Sequence, residues 1–422
     1  MSQAAEALPQ GTADDFDLKT VNVADPALWE TQAYWPIFTR MRREDPVHYC
    51  PDSPYGPYWS VTRHTDIMAV DTNHQVYSSD AEYGGIIIDD RLQNDRETGF
   101  KSVNFIAMDP PKHDDQRKAV NGIVDPRNLA HFGTVIRERT AKALDELPVG
   151  EEIDWVRTVS IELTTLMLAT LFDFPLEDRY KLTRWSDVAT AEPGSGVIAN
   201  QQQRIDELNE MAAYFVALQE SRRDKPDQID LLTMMTHHPA TANMPPEEFL
   251  GNLALLIVGG NDTTRNSMTG SVYAMDRFPG ELDKLKADPA LVDNMVAEII
   301  RWQTPLSHMR RTALADAELG GKKIRKGDKV VMWYASGNRD TSIFDDPDTV
   351  RIDRANARRH LSFGFGIHRC MGNRLGELQL KILWEEILKR FDRIEVVGEP
   401  VHTRSNFVKG YARLPVVIHR KH

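Results

Sequence analysis

The stretch FGFGIHRCMGNR, Phe363 to Arg374, holds one of the two cysteines of a 422-residue chain; the other is Cys50. Cys370 stands two residues after a histidine, among glycines, and just ahead of a helix-forming run, GELQLKILWEEILKRF. A cysteine so placed has three readings: an idle thiol, a nucleophile or a metal ligand. The glycines weigh against the idle one. Gly364, Gly366 and Gly372 let a backbone turn tightly and come close to whatever the sulfur meets, and an idle thiol needs neither. A zinc or thiol-hydrolase reading of His368 and Cys370 lacks further ligands and a plausible triad.

Two other groups carry chemistry. In GGNDTTRN, Gly259 to Asn266, an acid and two hydroxyls follow paired glycines inside a helical pattern. Each mid-helix glycine costs about 1 kcal/mol relative to alanine, and Asp262, Thr263 and Thr264 prefer caps and turns. Small residues for close helix packing explain this. So does a large flat ligand lying on a local helix break, served by the acid and a hydroxyl. In AEIIRWQTP, Glu298 and Arg301 have the spacing of an intrahelical ion pair, a pattern that chance alone supplies in so charged a chain.

Positioning these groups falls to a mainly helical chain. Pro245 and Pro246, with Glu247 and Glu248 behind them, start a helix that should run to Phe278, about 33 residues and roughly 50 Å. Helical spacing also marks residues 25–45 and most of the chain from Asp125 to about Thr236. Two short strand-like runs lie between Pro46 and Val70. The segment 78–109 is loop-rich, with an exposed-looking GGIII, and long irregular segments of this kind are often functional. Strands return in AELGGKKIRKGDKVVMWY, where Gly320-Gly321 suits a hairpin turn. With no linker or repeat in sight, the expectation is a loose leader over residues 1–29 and one domain over 30–422, mainly α with a minor β part.

Composition bounds the function. Apolar residues make up 41% and charged residues 27%, enough for a sizeable core. A formal charge of −12 argues against nucleic acid as a partner. Two cysteines exclude a disulfide scaffold and fit a reducing compartment. The polar, acidic N-terminus shows no secretory signal, and no apolar run is long enough for a membrane span. The expectation is a cytoplasmic monomer.

Phe363, Gly366, His368, Cys370 and Gly372 match Phe-x-x-Gly-x-(His/Arg)-x-Cys-x-Gly, and in this the chain resembles the cytochrome P450 monooxygenases. Gly259, Gly260, Asp262 and Thr263 resemble that family's (Ala/Gly)-Gly-x-(Asp/Glu)-Thr motif. Glu298 and Arg301 fall, in family order, where it has its Glu-x-x-Arg pair. The resemblance implies a helical bundle around a buried haem, with small β-sheets. It implies haem b (iron protoporphyrin IX) with Cys370 as metal ligand, Phe363 and Gly364 against the cofactor, and O2 as co-substrate. His113, Arg117, His368 and Arg311 are the implied propionate partners, with Arg310 an alternative to Arg311. Glu298 and Arg301 become structural, joined by Arg354 or Arg351. Asp262 and Thr263 become the catalytic acid–alcohol pair; peroxide-using relatives replace it, so its presence favours a reductase-driven monooxygenase. Electrons are then expected from NAD(P)H through a ferredoxin reductase and a ferredoxin, docked on Arg369, Arg374 and Lys118. The wording around both motifs looks most like the bacterial branch that hydroxylates medium-chain n-alkanes and fatty acids at the terminal carbon. That implies an apolar small-molecule substrate and a tunnel lined by Ile86, Ile87, Ile88, Val258, Gly259, Leu306 and Phe407. Steroid or terpene hydroxylation, and a haem-thiolate sensor without turnover, are the alternatives.

Overall fold

Proline at the helix start and acids in the first turn open a helix that runs from Pro246 to Arg277, 32 residues. The structure is a computed structural model that describes residues 16–92, 103–191, 193 and 195–421. The expected break at GGNDTTRN is absent, for the whole stretch is helical. Polar side chains there turn back onto their own helix. Thr263 Oγ1 donates to the Gly259 carbonyl at 2.9 Å, and Asn266 Nδ2 to the Asp262 carbonyl at 2.9 Å. The two glycines have separate reasons. A Cβ on Gly260 would lie 2.7 Å from Leu168 Cδ2, on the helix Ile161–Leu171, whereas one on Gly259 would meet no atom within 4 Å. Packing explains one and an open face the other.

The long helix spans two apolar clusters. Leu253 and Ile257 join Phe172, Trp185 and Phe215 at one end. Met268, Val272 and Met275 join Trp155, Trp302 and Trp384 at the other. Its polar middle falls between them, at the centre of the molecule. The helices Ile161–Leu171, Tyr180–Thr190, Val292–Gln303 and Asn373–Arg390 pack against it.

A five-stranded sheet runs in the order Val47–Cys50, Tyr58–Val61, Lys329–Met332, Met309–Ala313, Tyr77–Ser78. Its Tyr58–Val61 and Lys329–Met332 strands are parallel and its other pairs antiparallel. Strand alternation sends Arg310 and Arg311 to opposite faces, which matters below. Gly320 and Gly321, at φ 55° and 75°, make the expected two-residue turn between Ala317–Leu319 and Lys322–Ile324. The strand Glu152–Asp154, paired with the C-terminal Pro415–Arg420, has no counterpart in the sequence reading.

Two expectations need correction. Residues 1–15 of the expected leader lie outside the described residues, but its second half is packed: Val23, Ala24 and Trp29 are buried, and Trp29 stacks on Tyr34 and Trp333. The GGIII segment is not exposed either, since Ile86 and Ile88 are both buried. Of the loop around it, residues 93–102 lie outside the described residues.

Candidate functional site

A large internal cavity separates the middle of the long helix from the cysteine loop. Gly259, Gly260, Thr263 and Thr264 line it on one side; Phe363, Gly364, His368 and Cys370 line it on the other. The loop is set by its glycines. Gly364 and Gly366 take φ of 63° and 67°, and a Cβ on Gly366 would fall 2.6 Å from the Asp71 carbonyl oxygen. The Cys370 amide donates to the Phe363 carbonyl at 2.8 Å. This turn leaves the sulfur open to the cavity, while Cys50 sits buried in the sheet with its Sγ against the Asp52 carbonyl. Burial pushes the Cys370 thiol up, against the pull of the Gly372 and Asn373 amides and of Arg117 and Arg369.

One edge of the cavity is cationic. Arg117, Arg311 and His368 line it, and the His113 ring lies 4.4 Å from that of His368. Among the described residues, both ring nitrogens of His368 and Nε2 of His113 are buried without a hydrogen-bond partner. Leaving such groups unpaired costs about 1–3 kcal/mol each, so they call for a ligand with acceptor oxygens. Burial, then the charges of Arg311, His113 and Arg117, push His368 down to about 2. Arg311 donates to Asp71 Oδ1 at 2.7 Å, and Asp71 Oδ2 accepts from Tyr334 Oη and the Phe365 amide, both at 2.8 Å. Arg310 points the other way, to the carbonyls of Tyr83 and Gly84 and to the Asp90 carboxylate. Of the two arginines, Arg311 faces the cavity. A flat metal macrocycle with anionic arms fits this donor set: sulfur on one face, a bare glycine opposite, and unpaired nitrogens with two arginines at the edge.

Across from the sulfur, Thr263 lines the cavity but Asp262 does not. Asp262 is buried and accepts from Arg265 Nη2 at 2.8 Å, while Arg265 Nη1 reaches Asp187 Oδ1 at 3.0 Å. Burial pushes Asp262 up to about 6, with Arg265 pulling it down and Asp187 pushing it up. Thr190, which lines the cavity, donates to Asp262 Oδ2 at 3.5 Å. Thr190, Asp71 and Tyr334 were not singled out in the sequence. The one available signal was the spacing of Asp262 and Arg265, three apart on a helix.

The remaining wall is apolar. Ile86, Ile87, Val258, Gly259, Leu306 and Phe407 line it, together with Phe105, Leu255 and Met309. Ile88 does not. Its side chain packs instead in the cluster of Trp29, Phe38 and Trp333, so it is removed from the expected lining. Glu298, Arg301 and Arg354 form a buried cluster on the sulfur side. Glu298 accepts from Arg301 Nε at 2.7 Å and from Arg354 Nε at 3.0 Å. Arg351 offers Glu298 only its backbone amide. Outside the cysteine loop, Arg358, Arg369 and Arg374 border a second, open hollow, and Lys118 is exposed on the helix Lys112–Asn121.

A family model described as Cytochrome P450 matches residues 165–407. Linalool 8-monooxygenase of Pseudomonas putida is 37% identical over 94% of this chain and 98% of its own length. Among solved structures, CYP153D17 from a Sphingomonas species aligns with TM-score 0.88 and 47% identity over 94% of this chain and 99% of that one. Cytochrome P450-153 from Novosphingobium aromaticivorans aligns with TM-score 0.87 and 46% identity over the same shares.

Proposed function

The chain belongs to the cytochrome P450 family of monooxygenases, and from that premise we propose that it hydroxylates the terminal carbon of medium-chain n-alkanes or fatty acids. One observation carries the reading: Cys370 and Thr263 line a single cavity whose lining is otherwise mostly hydrocarbon.

Haem, when bound, supplies the iron that takes Cys370 as thiolate and activates dioxygen, so that one oxygen atom enters a C–H bond and the other leaves as water. His113, Arg117, Arg311 and His368 would hold its propionates, with Asp71 keeping Arg311 in place. Phe363 and Gly364 would pack against the cofactor. Thr263 presents a hydroxyl to the reacting side; because its proton is engaged by the Gly259 carbonyl, its oxygen is set to accept. Asp262 takes up and releases a proton at Oδ2 near neutral pH, where burial places it. Thr190 links that carboxyl to the cavity, and Arg265 and the part-exposed Asp187 link it to the surface. The apolar wall excludes water and holds the alkyl chain end-on, which terminal attack requires because internal C–H bonds are weaker. Arg369, Arg374 and Lys118 receive a ferredoxin that carries electrons from an NAD(P)H-dependent reductase. Among the described residues no helix is long and apolar enough to cross a membrane.

Supplied with ferredoxin, reductase and NAD(P)H, the protein should convert n-octane mainly to 1-octanol, measured by gas chromatography. Mostly internal alcohols would overturn the claim. The linalool 8-monooxygenase relative favours a second reading, a terpene substrate; good turnover of linalool beside none of octane would select it.

A further inference from the structure

His308 is fully buried, one residue from the cavity-lining Met309 and two from Leu306. Its Nδ1 lies 2.8 Å from the Asn406 carbonyl oxygen, and its Nε2 lies 3.3 Å from the Ile88 amide nitrogen. A carbonyl only accepts and an amide N–H only donates, so both bonds exist together in one state: neutral, with the proton on Nδ1. Burial holds the ring down to about 4, consistent with that state. The edge-on rings of Trp333 and Phe407, at 4.9 and 5.3 Å, fix its plane.

Each bonded partner is itself anchored. The Ile88 carbonyl accepts from Lys329 Nζ at 3.0 Å. Asn406 Nδ2 donates to the Ala24 carbonyl at 2.6 Å and to Tyr55 Oη at 3.1 Å. Backbone bonds add to the join, from Ser307 N to Phe407 O at 2.9 Å and from Arg310 N to Ile86 O at 2.8 Å.

We propose that His308 is a specificity-determining positioning residue: its two ring nitrogens tie together the three segments that carry Ile86 and Ile87, Leu306, and Phe407, and so set the width of the cavity between those side chains. The proposal rests on the reading of that cavity as a hydroxylation pocket. Of the three consecutive isoleucines, Ile86 and Ile87 line the wall with their side chains. The third, Ile88, serves through its N–H and C=O.

Nitrogen NMR of the haem-loaded protein, labelled at histidine, should show His308 protonated on Nδ1; protonation on Nε2 overturns the proposal. His308→Phe keeps the ring shape and removes both bonds. In it, hydrogen exchange at the Ile88 amide should rise at least tenfold, and the ratio of 2-octanol to 1-octanol severalfold, with haem content and the carbon-monoxide spectrum unchanged. His308→Gln, whose amide oxygen can accept from Ile88, should recover most of both. Unchanged exchange in His308→Phe, or equal loss in both variants, overturns the proposal. Should the unmodified enzyme hydroxylate no alkyl chain, the functional reading fails, while the tautomer and the Ile88 exchange still decide the role of His308.

Discussion

The two walls of the cavity are built by different physics. On the sulfur side, position is set by directional bonds and buried charge. Asp71 takes three donors, Glu298 takes two guanidiniums, and Gly366 sits where no side chain can. On the substrate side, the side chains of Ile86, Val258, Leu306, Met309 and Phe407 come from four segments and meet one another through non-directional contact, while the hydrogen bonds that join three of those segments lie in the backbone and at His308, behind the wall. A hydrogen-bonded cluster loses most of its value when one member changes, whereas an apolar wall tolerates substitution if volume is kept. Chemistry that must not vary is thus placed on the first wall and substrate choice on the second. The difference predicts how each should break.

The largest effect belongs to the sulfur. Cys370→Ser should abolish the red-shifted carbon-monoxide band of a thiolate-ligated haem, while Cys50→Ser keeps it. Retention of the band in the Cys370 variant would remove the basis of the comparison. Next comes the buried cluster. Glu298→Gln leaves Arg301 and Arg354 buried without their carboxylate, and breaking such a cluster costs about 3–5 kcal/mol. Thermal unfolding followed by far-ultraviolet circular dichroism should show a drop of many degrees, with poor haem retention. A loss no greater than that of a surface charge would mean that the fold on this side is held by packing after all.

The same contrast explains what was legible in the sequence. The sulfur side could be read because directional demands leave fixed residue types at fixed spacings, as in the glycines around Cys370; Glu298 and Arg301, whose spacing chance also supplies, could be read only from their place in the order of the motifs. The long helix could be read from its prolines and its length. Its supposed break could not, because Thr263 and Asn266 return their hydrogen bonds to the helix that their residue types would otherwise disfavour. Asp71 was invisible, since a lone aspartate ending a short helix carries no pattern until folding brings Arg311, Tyr334 and Phe365 to it. Local spacing could not choose between Arg310 and Arg311; strand alternation could, once Met309–Ala313 had its place in the sheet. The apolar wall was legible only through resemblance, and Ile88 shows the limit: a buried isoleucine looks the same whether it faces core or cavity.

Thr263 stands on the boundary between the two walls and tests whether a single hydroxyl there acts chemically. Thr263→Ala should bind haem and consume NAD(P)H at a comparable rate. The share of NAD(P)H recovered as alcohol should fall by roughly tenfold, with hydrogen peroxide released instead. That is less than the ~10²-fold typical of a lost general acid, because water admitted to the cavity replaces the hydroxyl in part. Unchanged coupling would assign the role to the neighbouring cavity hydroxyl of Thr264 or to Thr190.

The smallest effect should come from the apolar wall, and it sharpens the comparison most. Leu306 reaches the cavity from a segment bridged to Val408, beside Phe407. Leu306→Ala removes hydrocarbon from the wall without touching a hydrogen bond between side chains. The fold should lose little beyond ordinary packing energy, and haem binding and coupling should hold. What changes is which carbon reaches the reacting oxygen. Internal methylene C–H bonds are weaker than terminal methyl ones, so any slack lets position 2 compete, and a shift of about 1 kcal/mol changes the product ratio about fivefold. The 2-octanol share should therefore rise severalfold at nearly constant total turnover. A collapse of turnover with an unchanged product ratio would show that Leu306 supports the sulfur side instead, and that the two walls are not separable.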